Sequence, residues 1–147
     1  MLTLLTFRIR GTLFGVDIAR VREIDRDVEY TAVPGAPDYV TGLFNMRGRV
    51  VVLYNLPTLF GYTDTQPKQG SLGIVMETDS DAQGGEGFLI DQAGSVVHLP
   101  QDTLAPLPAN FHGKEAKYIR HVVKLERELL LLLDCDAIFR AGETVHS

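Results

Sequence analysis

Apolar side chains return at every second position along much of this chain. Leu5, Phe7 and Ile9 alternate with Thr6, Arg8 and Arg10, and Phe14, Val16 and Ile18 alternate again beyond the turn Gly11-Thr12. A period of two places apolar groups on one face of a half-buried strand, and an amphipathic helix cannot use it. Val50–Leu53, Leu72–Met76, Phe88–Ile90, Ser95–Leu99, Tyr118–Leu125 and Leu129–Leu133 also read as strands, some of them as unbroken apolar runs such as Val50–Leu53 and Leu129–Leu133. Turn-forming residues separate these runs. Pro34, Gly35 and Pro37 fall in one loop, where Pro37 opens at most a very short helix, and Asp25-Arg26-Asp27 reads as another loop. Gly48 suits a hairpin or bulge because glycine reaches positive φ without a steric cost. Pro57 ends a strand, having no N–H for the ladder. Glu126-Arg127-Glu128 forms the last hairpin turn, and Asp134 or Asp136 caps a short helix through Phe139. Many short strands with Gly and Pro between them predict an all-β barrel or sandwich.

The length, 147 residues, fits one domain or two small halves sharing a core. The polar stretch Tyr62–Gly70 is the predicted seam. On that division the first half is 15–68, and the second is 1–14 with 70–140. No exact repeat, heptad or low-complexity tract is present.

Composition narrows the chemistry. Nineteen acids against fourteen Lys and Arg give a net charge of -5, which disfavours nucleic acid and anionic membrane as partners. The single cysteine, Cys135, permits neither an internal disulfide nor a multi-thiolate metal site. Flanked by Asp134 and Asp136, it reads as a buried structural thiol in a reducing compartment. The N-terminal Arg8 and Arg10 follow the apolar residues instead of preceding them, unlike a signal peptide, and no run approaches the ~18 apolar residues of a membrane span. The expected location is the cytoplasm.

None of His98, His112, His121 and His146 lies three or four positions from another, so no helical metal pair exists. Asp79, Asp81 and Gly84 match three positions of a calcium loop. Gln83 and Ile90 stand where two ligands belong, so the segment reads as a solvated hairpin loop. The acid pairs Glu77/Asp79 and Asp134/Asp136 read as loop and cap. No catalytic, cofactor or metal constellation emerges. A small barrel enzyme or ligand carrier, using Glu77, Asp79 and His98 in a cleft between barrels, is the competing class.

A different kind of site stands out. Glu23 follows a barrel-like strand, and Arg47 sits at a hairpin beside Gly48. An exposed arginine makes bidentate contacts to carboxylates and is frequent at binding hot spots, and Glu23 is its candidate intramolecular partner. Val21, Leu43, Phe44 and Met46 lie near the same strand ends, where they serve either the core or a partner surface.

These residues carry a resemblance. Phe14–Ile24, Val33–Gly48 and Val50–Leu56 resemble the first half of the CheW family of chemotaxis coupling proteins, and Asn45-Met46-Arg47-Gly48 lies in the most specific stretch. Gly87–Val97, Tyr118-Ile119 and Leu130–Asp134 resemble the family's later strands, so the likeness spans about residues 5 to 140. It departs from the family pattern at Asn55, Ala93 and Arg120 and in a longer polar loop at Asp79. The resemblance implies two five-stranded SH3-like β-barrels packed on a shared hydrophobic interface, with short helices. It implies no enzymatic activity and no cofactor. Its implied role is a stand-alone cytoplasmic adaptor that couples chemoreceptor cytoplasmic tips to the regulatory domain of a CheA-type histidine kinase. A pilus- or gliding-type chemosensory pathway is the alternative setting, and self-association is left open. Carried over by position, the partner-binding residues are Val21, Glu23, Asn45, Arg47 and Gly48.

Overall fold

In a computed structural model, residues 1–77 and 85–141 are described. The loop around Asp79, with its comparison to a calcium site, lies outside the described residues, as does His146. The chain divides into two units, one made of Arg20–Asp91 and the other of Met1–Ala19 with Gln92–Ser147. Nearly all regular structure is strand, as the two-residue periodicity requires.

The continuous unit holds β3 (Val21–Val28), β4 (Tyr30–Thr31), β5 (Val40–Met46), β6 (Arg49–Tyr54), β7 (Ser71–Met76) and β8 (Glu86–Ile90), in the sheet order β3-β7-β8-β6-β5-β4. Its first and last strands in that order are separated in sequence by Glu29 alone. Six strands laid flat would span roughly 24 Å at ~4.8 Å per strand, and two residue steps reach only about 7 Å. The sheet therefore curls until its edges meet. Five long strands and a two-residue sixth make a small barrel. Val28, Phe44, Met46, Val51, Leu53 and Val75 fill it. Tyr54 donates its hydroxyl to the buried carboxylate of Glu86 at 2.6 Å, tying β6 to β8.

The second unit holds β1 (Leu2–Ile9), β2 (Thr12–Asp17), β9 (Gln92–Leu99), β10 (Leu104–Ala105), β11 (Ile119–Lys124) and β12 (Leu129–Leu133), in the order β10-β11-β12-β2-β1-β9. Leu4, Leu13, Val123, Leu130 and Leu132 form a core here. Phe7 and Phe14, opposite each other across β1 and β2, stack with centroids 6.1 Å apart.

The two sheets share one topology. Each has a parallel pair at its centre, β6 with β8 and β12 with β2. Each has a hairpin with an early bulge, between Val40 and Gly42 in one and between Ile119 and His121 in the other. Each hairpin runs into a short capped helix, α1 (Leu56–Leu59) or α2 (Cys135–Phe139). Tyr39 accepts from the main-chain N–H of Asn55 at 2.7 Å, and Tyr118 accepts from that of Asp134 at 2.8 Å. The chain is thus two successive copies of a six-strand-plus-helix pattern that exchange their opening hairpins. β7 and β8 complete the sheet of β3–β6, while β1 and β2 complete that of β9–β12.

This exchange corrects the expected division. Residues 71–90 belong with the continuous unit because β7 pairs with β3 and β8 with β6. The stretch Tyr62–Gly70 therefore lies inside that unit, where Gln69 and Pro67 accept from the main-chain N–H and the hydroxyl of Tyr30. The units change over instead near Ala19-Arg20 and Asp91-Gln92. Asp25-Arg26-Asp27 is no loop: it continues β3, an edge strand whose charged side chains have solvent to point into. Pro37 precedes a turn rather than a helix. Cys135 is buried, as expected.

Candidate functional site

The site is assembled by one irregular strand and one tight turn of the continuous unit. On β3, Val21 pairs with Met76 and Glu23 with Val75, so Arg22 is an extra residue in a bulge. A bulge bends its strand and re-aims the side chains beside it. Arg22 Nε meets Glu77 Oε1 at 3.2 Å, and Arg20 donates to the Glu77 main-chain oxygen at 3.1 Å, which holds the bulge in place. Glu23 leaves it with only 20% of its side chain exposed.

The turn joins β5 to β6 through two residues, with Met46 opposite Arg49. Arg47 has φ +53° and Gly48 φ +87°. Positive φ at both positions is the signature of the type I′ hairpin, whose twist matches that of the flanking strands. Gly48 is made for this conformation; arginine adopts it rarely. Asn45 helps, accepting the Gly48 main-chain N–H on Oδ1 at 2.8 Å. Arg10 and Gly11 make a second Arg-Gly turn of this form between β1 and β2, with φ +50° and +84°.

From the turn, Arg47 Nη2 donates to Glu23 Oε1. The arginine side chain is 79% exposed, so most of its donor capacity faces outward. The second oxygen of Glu23 is buried and has no hydrogen-bond partner among the described residues. An open depression of about 370 Å³ surrounds the pair, lined by Arg22, Glu23, Met46, Arg47 and Arg49. The unit as a whole carries eleven acids against six bases, a balance of -5, while the other unit carries eight of each. The arginine-rich rim is therefore a local feature of an acidic unit. Such an arrangement can bind acceptors at the rim and a donor at Glu23.

Of the residues singled out from sequence, Glu23 and Arg47 meet directly, and Asn45 and Gly48 build the turn that presents the arginine. Val21 is half-buried on β3 and does not line the depression. Phe44 and Met46 are core residues, with Met46 also forming an apolar wall of the site. Arg22 and Arg49 were not singled out; their adjacency to Glu23 and Gly48 is the signal that points to them. Of the competing set, Glu77 is engaged by Arg22, His98 Nδ1 lies 3.1 Å from Thr3 Oγ1, and Asp79 lies outside the described residues. Among the described residues, no group of three or more His, Cys, Asp or Glu side chains is placed to hold a metal ion.

A small curled sheet whose polar site is an ion pair on a protruding hairpin belongs to the class of β-barrel interaction modules. Comparison with known proteins makes this specific: the CheW-like domain model matches residues 3–143, and the chain belongs to that family. The chemotaxis protein CheW of Treponema pallidum is 30% identical over 143 residues, covering 95% of this chain and 83% of that protein. Protein PilI of Pseudomonas aeruginosa is 32% identical over 109 residues, covering 70% of this chain and 58% of that one. The fold matches a crystal structure of the scaffolding protein TtCheW from Thermoanaerobacter tengcongensis with a TM-score of 0.78 at 22% identity, over 90% of this chain and 88% of that one. That likeness supports the expected pair of SH3-like barrels.

Proposed function

We propose that this chain is a non-enzymatic chemotaxis adaptor that couples chemoreceptor cytoplasmic tips to the regulatory domain of a CheA-type histidine kinase, in the cytoplasm at receptor arrays. Family membership and the chemotaxis relatives supply the pathway. The observation that carries the site is the Glu23–Arg47 pair, raised on a hairpin where arginine holds a backbone conformation it rarely adopts. Val21, Asn45 and Gly48 complete the partner-binding set, Val21 beside the bulge and the other two as the turn. Calorimetric titration with the kinase regulatory domain tests the reading. The unaltered chain should bind, and Arg47→Glu should weaken binding by about 2 kcal/mol or more, roughly thirtyfold. A unaltered chain that binds no such domain from its own organism removes the proposal.

The likeness to PilI supports a second setting, a pilus-linked chemosensory pathway with the same adaptor role. Deleting the gene separates the two: loss of directed swimming supports the first, and loss of surface motility the second.

A further inference from the structure

We draw no further inference here: the strongest candidate, the surface patch of exposed Leu129 beside the Arg8–Glu128 ion pair in the second unit, carries nothing because nothing in the structure shows what covers it.

Discussion

Asn55 and Asp134 do the same work at two places 79 residues apart: each Oδ1 accepts the main-chain N–H three residues on, from Thr58 and from Ala137, at 3.1 Å. Each ends an aliphatic strand and starts a short helix, α1 or α2. An N-cap of this kind contributes about 1 kcal/mol. Asn55 is also buried and donates through Nδ2 to Thr65 at 3.2 Å. In urea denaturation Asp134→Ala should cost about 1 kcal/mol and Asn55→Ala more, up to about 2 kcal/mol. Asp134 Oδ1 also meets Arg120 Nη2 at 3.1 Å, an ion pair of about 0–1 kcal/mol. The comparison is therefore made in an Arg120→Ala background, where equal costs would mean that the Thr65 contact adds nothing.

Arg47 breaks a local rule, and the break should be measurable. The first position of a type I′ turn favours asparagine, whereas Glu23, only 20% exposed, would lose its donor Arg47, so the two effects on stability oppose each other. Arg47→Asn is therefore expected to melt close to the unaltered chain while binding the kinase regulatory domain at least tenfold more weakly. Arg10→Asn, in the matching turn of the other unit, should leave that binding unchanged. A marked drop in melting temperature for Arg47→Asn would identify the arginine as a structural residue.

Two glycines at matching sheet positions should differ in their tolerance. Gly15 faces Leu132 and Gly87 faces Leu53 across the parallel pairs. A Cβ at Gly15 would come within 2.9 Å of the end of the Leu130 side chain, which can rotate, whereas one at Gly87 would lie 2.3 Å from the Ile74 carbonyl oxygen, which is fixed in the ladder. Overpacking in a core costs typically ~1–3 kcal/mol, and more when backbone must move. Gly87→Ala should unfold at clearly lower urea than Gly15→Ala.

The buried contact from Tyr54 to Glu86 gives a fourth expectation. Tyr54→Phe removes one donor from a carboxylate that is only 8% exposed. Leaving a buried charged acceptor short of a partner costs about 1–3 kcal/mol or more. Tyr54→Phe should therefore melt below the unaltered chain, although the aromatic ring is conserved in size.

Much of the fold was legible locally. The alternation at Leu5–Ile9, the turn at Gly48 and the cap at Asp134 all follow from the conformations of single residues and their neighbours, whereas the strand expected to end at Pro57 stops at Tyr54 and Pro57 lies in α1. The turn half of the site was legible too, because Arg47-Gly48 between two apolar runs is a hairpin signal. The duplication was harder to read. Its sequence trace is thin: Tyr39-Val40 against Tyr118-Ile119, and Leu59-Phe60 against Ile138-Phe139. Charge misled at Asp25-Arg26-Asp27, since an edge strand tolerates side chains that a central strand would exclude.

The sequence by itself determined most of the strand segments, the apolar face of those that alternate, and tight turns such as Arg47-Gly48. Strand pairing was decided by the tertiary structure alone. Ladder hydrogen bonds are the same for any two strands, so periodicity cannot say that β7 and β8 join β3–β6 while β1 and β2 join β9–β12. That choice comes from long-range burial, which closes each curled sheet over its own core. The same closure places Glu23 beneath Arg47 from 24 residues away, leaving one carboxylate oxygen bonded and the other buried without a donor among the described residues.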